Sequence, residues 1–268
     1  MIFSTYDLRG IFKKDLNFQI IYNSVNEFFK KLKIKKALLA SDFNKNNLII
    51  KQFLEKNFPF ELLGILATPI FYYEVIKRKK PGIMVTASHL PLKYSGLKFI
   101  LKNGEPWRPK LTTLNKNYFQ NSKNKLLLET GLKNIILSKS FLDINKSIYI
   151  NYFKHLQKII KPKKKIYVNF DTKNIFLNYS LAYFKKLKIY NKENSYIKIK
   201  SDFDNDRIFV SIKNRKIHND LIFYFLAKLS PYQKLGIPIY FSQKLKNELL
   251  KLGKKIYFIP TGHYFFKK

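Results

Sequence analysis

Seven residues, Ser201-Asp-Phe-Asp-Asn-Asp-Arg207, set three carboxylates at alternate positions in a chain that has only 17 acidic residues. Alternate carboxylates converge when a turn curls round a cation, and hard oxygens without thiolates suit Mg2+ or a similar ion. A solvated acidic loop offsetting nearby lysines would carry the same residues. Arg207 directly after Asp206, followed by the strand-like Ile-Phe-Val, favours the cation, because arginine beside a metal is an arrangement that handles phosphate.

A second window, Gly82-Ile-Met-Val-Thr-Ala-Ser-His-Leu-Pro91, reads as a buried strand ending in a small-residue turn that carries Ser88 and His89. In an α/β sheet, ligands bind at that end of a strand. A serine there could be a nucleophile, a helix cap or a plain turn residue. The third window, Ser4-Thr-Tyr-Asp-Leu-Arg-Gly10, places Arg9 beside a glycine that lets backbone approach a ligand. His155 and His218 have no motif around them.

The elements that must hold these windows follow from hydrophobic periodicity. Ile21, Val25, Phe28, Phe29 and Leu32 recur at helical spacing across residues 20–33, and the short apolar run Ala37–Ala40 follows as a buried strand. Helix 48–56 with strand 61–65, then helix 68–77 with strand 82–87, repeat the pair. This alternation predicts an α/β layered domain with helices covering a largely parallel sheet. Residues 110–146 loosen into Lys/Asn-rich stretches with apolar runs at Leu126–Leu128 and Ile135–Leu137, so a boundary is placed there. The alternation resumes with helix 149–160, strand 166–170, a helix around 178–187 and strand 196–200. A last unit has strand 236–241, helix 245–252 and strand 255–259. Its roughly 30 residues are too few for a domain of their own.

The formal charge of +35 would ordinarily point to a polyanion partner. Only five basic residues are arginine (Arg9, Arg78, Arg108, Arg207 and Arg215), and the excess is lysine, accompanied by abundant Asn, Ile, Phe and Tyr. We read this as drift toward A- and T-rich codons rather than a nucleic-acid surface, since sequence readers lean on arginine for bidentate contacts. The absence of cysteine excludes disulfides, thiolate metal sites and cysteine nucleophiles. No signal-peptide pattern and no run of ~18 apolar residues is present, so a soluble cytoplasmic chain with no membrane partner is expected.

In this order the windows resemble the α-D-phosphohexomutases, the family of phosphomannomutases and phosphoglucomutases. Tyr6-Asp-Leu-Arg-Gly10 is similar to the family's Tyr-Asp-Ile-Arg-Gly, and Thr86-Ala-Ser-His89 to its phosphoserine loop, with Gly96 and Lys98 at the places of the following Asn-Gly-Phe-Lys. Asp202, Asp204, Asp206 and Arg207 fit its metal loop, and Thr261-Gly-His-Tyr264 resembles a Gly-His step of the third domain. The resemblance implies an α/β fold of tandem three-layer αβα domains with mixed sheets. It divides the chain into domain I (1–146, with the phosphoserine loop), a shortened domain II (147–233, with the metal loop) and a partial domain III (234–268), with domain IV absent.

It implies an isomerase that moves a phosphoryl group between C1 and C6 of mannose or glucose phosphate, through a phosphoserine and a glucose 1,6-bisphosphate type of intermediate. Ser88 would be the phosphoserine, with Arg9, His89 and Lys98 as further catalytic residues. Mg2+ would lie on Asp202, Asp204, Asp206 and Ser88, and Arg207 and His263 would contact substrate. Motif details favour the mannose/glucose branch over phosphoglucosamine mutases, and without a fourth domain turnover would be reduced or lost. Departures include Leu90 and Ser95 in place of asparagines, Ile175 in place of a glycine, and Phe203 at a metal-loop position usually held by glycine, where a positive φ would strain a side chain. A non-catalytic remnant or a basic binding protein is the alternative, against which stands the retained aspartate triplet. The enzyme reading expects Ser88 Oγ within about 10 Å of the aspartates, since one ion must touch both.

Overall fold

The structure is a computed structural model that describes residues 7–107 and 144–259. The apolar runs at Leu126–Leu128 and Ile135–Leu137, as well as Tyr6 and His263, lie outside the described residues.

The first unit runs β1 (Asp7–Ile11), α1 (Phe18–Lys31), β2 (Ala37–Ser41), α2 (Lys45–Asn57), β3 (Phe60–Ile65), α3 (Thr68–Arg78), β4 (Gly82–Val85) and β5 (Tyr94–Ile100). Its five strands lie in the order β1-β5-β4-β2-β3. The helices form where periodicity predicts them and start on sequence signals: Asn17 and Asn44 cap α1 and α2 with their side chains, and Pro69 opens α3. One face of the sheet buries Ile21, Val25 and Phe28 of α1 with Phe53 and Leu54 of α2. The other buries Ile70, Phe71 and Val75 of α3 together with Ile148, Tyr149 and Phe153 of α4 (Lys146–Ile159). Helices thus cover both faces, giving three layers.

The expectation of a largely parallel sheet needs correction. Only β2–β3 and β2–β4 pair in parallel, while β4–β5 and β5–β1 are antiparallel. The physical reason is the link of residues 86–93 between β4 and β5, too short for a crossover helix, which forces the chain to turn back along β4.

The second unit contains β6 (Ile166–Phe170), α5 (Ile175–Phe184), a 3-10 turn (Lys185–Leu187), β7 (Ile189–Asn191), β8 (Ile197–Ser201), β9 (Ile208–Ile212) and β10 (Arg215–Lys216), with strand order β10-β9-β8-β6-β7. It too is mixed: β6 pairs in parallel with β7 and β8, and β8 with β9 antiparallel. Farther along are α6 (Asn219–Leu229), β11 (Lys234–Pro238), α7 (Gln243–Lys251) and β12 (Lys255–Ile259). The parallel pair β11–β12 is covered by α6 and α7, and Ala227 of α6 shares a small core with Ile237, Leu245 and Leu249. The chain is therefore mixed α/β with several mixed sheets. Among the described residues no helix is long and apolar enough to cross a membrane.

Candidate active site

At the carboxyl ends of the parallel strands, the loop after β4 meets the hairpin loop Asp202–Arg207 that joins β8 to β9. The hairpin closes on itself: Asp202 N–H donates to the Arg207 carbonyl at 3.2 Å, and Asp202 Oδ1 accepts from the N–H groups of Asp206 (2.8 Å) and Arg207 (2.9 Å). The expected strain at Phe203 does not arise. The left-handed position is Asn205, at φ 56°, and asparagine tolerates that region far better than phenylalanine.

Asp202 turns its other oxygen outward, where Ser88 Oγ donates to it at 3.4 Å. Ser88 and the aspartate loop, 114 residues apart in sequence, therefore meet as expected. Ser88 is 3% exposed and sits at φ 56°, a conformation that costs a non-glycine residue roughly 1–2 kcal/mol. Its N–H donates to Thr86 Oγ1 at 2.9 Å. The turn that carries the serine is thus strained and braced, as backbone at functional sites commonly is.

Asp204 is fully buried at 0% exposure. Its Oδ2 accepts from Thr68 Oγ1 (2.8 Å), Thr86 Oγ1 (3.2 Å) and Lys98 Nζ (3.1 Å), and its carbonyl accepts the Thr68 N–H (3.0 Å). Thr68 is the first residue of α3, so a carboxylate from the second unit settles at a helix N-terminus of the first, where the dipole favours negative charge. Lys98 Nζ also donates to Asp206 Oδ2 at 3.1 Å. Burial works against the Lys98 ammonium, but Asp204 and Asp206 outweigh it and raise its pKa.

Lys98 reaches the site because β5 runs close beside Thr86. The Gly96 carbonyl accepts the Thr86 N–H at 2.9 Å, and a Cβ on Gly96 would lie 2.7 Å from the Leu8 carbonyl oxygen and 2.8 Å from that of Thr86. Only glycine lets the strand pack this closely. Gly96 pairs across the sheet with Arg9, whose guanidinium is held by Asp7 through Nε at 2.9 Å and Nη2 at 2.5 Å. His89 is exposed beside Ser88. Burial, then the positive charges of Arg207 and Arg9, lower its pKa, which keeps the imidazole neutral near pH 7. Arg207 is exposed at the end of the hairpin loop.

The sequence reading gave three groups of this site no part in it, although Asn174 closes the run Asn169–Asn174 that resembles a family strand end. Asp42 follows β2, is 1% exposed, and has its pKa pushed up to about 6, chiefly by burial. Tyr72 on α3 has its pKa raised by burial and by the charges of Asp206, Asp7 and Asp204. Asn174 donates through Nδ2 to the Asp202 carbonyl at 2.7 Å and caps α5 with its Oδ1. The Asx–x–x capping pattern at Asn174 was a second available signal, whereas Asp42 and Tyr72 acquire meaning only from what folds over them.

The donor set suits a hard divalent cation. Asp204 Oδ1 is buried with no hydrogen-bond partner, an anionic lone pair that calls for a positive charge. Among the described residues, however, no three acidic or imidazole side chains are already gathered as a metal cage. The Lys98 ammonium lies between two of the carboxylates instead.

Residues 1–125 match the family described as phosphoglucomutase/phosphomannomutase, alpha/beta/alpha domain I. A phosphoglucosamine mutase of Prochlorococcus marinus (strain AS9601) is 31% identical over 163 residues, covering 58% of this chain and 34% of that protein. A phosphomannomutase of Methanocaldococcus jannaschii is 28% identical over 113 residues, covering 41% of this chain and 25% of that one. The matched region thus spans 34% and 25% of these relatives' length. In fold, the chain superposes on a phosphoglucomutase/phosphomannomutase family protein from Burkholderia thailandensis with a TM-score of 0.73 at 16% identity, over 98% of this chain and 67% of that one. Phosphoglucomutase from Paramecium in its open form gives 0.68, also at 16%, over 97% and 62%. The sequence match falls on the half that holds Arg9, Ser88 and Lys98, where residues 1–125 match domain I of the phosphoglucomutase/phosphomannomutase family, and the fold shared with solved members of that family extends to the half that holds the aspartate loop.

Proposed function

We propose that the chain is a phosphotransferase-type isomerase that moves a phosphoryl group between C1 and C6 of a hexose phosphate, with Ser88 as the carrier. The observation that supports this most is the meeting of Ser88 Oγ with Asp202 Oδ2 at 3.4 Å, across the boundary between two units, in a strained turn that hydrogen bonds hold in place. In the transfer, the bond between phosphorus and Ser88 Oγ breaks as a bond to a sugar hydroxyl oxygen forms, giving a hexose bisphosphate. The hydroxyl proton passes to His89, whose lowered pKa leaves a ring nitrogen free to accept it. Lys98 stays an ammonium and steadies the carboxylates, and Arg9 and Arg207 offer positive charge to phosphate oxygens. Asp202, Asp204, Asp206 and a phosphorylated Ser88 would hold Mg2+, which supplies neutralisation of the charge on the transferring group when bound.

Mannose or glucose phosphate is the substrate class the motifs favour, while the matched relatives include proteins named phosphoglucosamine mutase as well as phosphomannomutase. The test is intact mass after incubation with glucose 1,6-bisphosphate and Mg2+. We expect one added phosphate, absent in Ser88→Ala. Coupled assays with mannose 1-phosphate, glucose 1-phosphate and glucosamine 1-phosphate then rank the sugars. No adduct on Ser88 with excess bisphosphate would defeat the enzyme reading and favour a non-catalytic chain.

A further inference from the structure

The loop that carries Ser88 rests on a buried carboxylate to which neither the sequence motifs nor the proposed chemistry gives a task. Asp42 Oδ1 accepts from the Asn44 N–H at 2.9 Å and from Asn47 Nδ2 at 2.8 Å, and its Oδ2 accepts from the same amide at 3.0 Å. The Asp42 N–H donates to the Val85 carbonyl at 3.2 Å, which joins the end of β2 to the end of β4. The Thr86 hydroxyl is in hydrogen-bonding contact with the Asp42 carboxylate. That hydroxyl also accepts the Ser88 N–H. On the far side, Asn44 Nδ2 donates to the Leu92 carbonyl at 2.8 Å. Both ends of the 86–92 loop are thereby tied, through Thr86 and through Asn44, to one carboxylate beneath it.

We propose that Asp42 is a positioning residue for Ser88, acting through Thr86 and Asn44 to hold the strained serine turn against the aspartate loop. A buried acid normally costs stability unless hydrogen bonds compensate it. Here those bonds run to the two residues that anchor the loop, and the left-handed Ser88 needs such support because its conformation is unfavourable on its own. Thr86 Oγ1 has one proton and two carboxylates, Asp42 and Asp204, within reach. Its orientation, and so the lone pair it offers to the Ser88 N–H, depends on both.

This role rests on Ser88 being the functional serine, but its test does not depend on phosphoryl transfer. Amide hydrogen exchange, followed by NMR on the full chain, compares Ser88 with Leu39 and Met84 in the sheet. In Asp42→Ala we expect the Ser88 amide to exchange ~10-fold faster or more while the sheet amides stay as in wild type, the mark of a local opening. Asp42→Asn, which keeps the shape and can still accept from Asn44, should restore Ser88 to within about twofold of wild type. Unchanged Ser88 protection in Asp42→Ala, equal loosening by Asn and Ala, or an unprotected Ser88 in wild type would each overturn the proposal. Should Asp42→Ala unfold, Thr86→Val removes the mediating hydroxyl at constant shape, and unchanged Ser88 protection there overturns it equally. A chain that shows the loosening but never takes up phosphate would lose the functional reading and keep the positioning role.

Discussion

Replacing Lys98 with methionine tests the electrostatics of the site most directly. The Lys98 ammonium lies 3.1 Å from Asp204 Oδ2 and 3.1 Å from Asp206 Oδ2. Lys98 is 7% exposed and Asp204 is 0%. Methionine fills much the same volume, so the change is chiefly the loss of one positive charge beside three carboxylates. Removing one partner of a buried ion pair costs ~3–5 kcal/mol, because the other charge stays buried without compensation. At ~2–4 °C per kcal/mol for a domain of this size, the melting transition should fall by about 6–20 °C near pH 7.5. The pH dependence follows with a definite sign. Without the ammonium the neighbouring carboxylates repel one another uncompensated, a penalty present only while they are ionised, so the variant is relatively most stable at low pH and loses stability as pH rises. The deficit should therefore shrink toward pH 4.5. Millimolar Mg2+ should shrink it as well at pH 7.5, since a divalent cation replaces the missing charge. Differential scanning calorimetry of both proteins across this range, with and without Mg2+, decides the matter. A deficit below ~1 kcal/mol, or one equal at pH 4.5 and 7.5, would refute the reasoning.

Asp42 has its pKa raised from 3.8 to about 6, so its contribution is fully favourable below about pH 4 and is lost as pH rises through 6, by ~3 kcal/mol in total. Asp42→Asn should hence gain on wild type by about that much between pH 4 and 8 in urea unfolding, and parallel profiles would contradict it. Ser88→Gly relieves the left-handed strain and should stabilise the chain by up to ~1 kcal/mol while abolishing the phosphate adduct seen by intact mass, a gain in stability coupled to a loss of chemistry. Gly96→Ala forces a Cβ to within 2.8 Å of two backbone oxygens; we expect a loss of ~1–3 kcal/mol by calorimetry and slower Ser88 phosphorylation, because β5 carries Lys98.

Local pattern carried the sequence a long way. The alternation from α1 to β4 was legible because each helix turns an apolar stripe to the sheet while β2 and β4 are buried on both faces and so read as unbroken apolar runs. The aspartate loop and the Ser88 turn were legible because clustered acids, and a serine ending a buried strand, are unusual at any position. Of the strands that were missed, β1 and β5 have a physical reason. β1 is five residues with two charges, and β5 holds Ser95, Gly96 and Lys98, all buried by neighbours that come from elsewhere in the chain. Helix α6 was missed because Leu221-Ile-Phe-Tyr-Phe-Leu226 is apolar all round and shows no 3.6-residue stripe. Residue types and spacing by themselves pointed to atoms that can do chemistry, a serine hydroxyl, three carboxylates and two arginines, while Lys98 was reached only through the family resemblance. Only the tertiary structure decided that Lys98 lies between Asp204 and Asp206 and that Thr68 of one unit receives Asp204 of another. It also decided that Asp42, which in sequence is an ordinary acid at the end of a strand, becomes a buried support. Such assignments depend on which groups lose water and which partners replace it, and that is set by contacts between residues up to 136 positions apart.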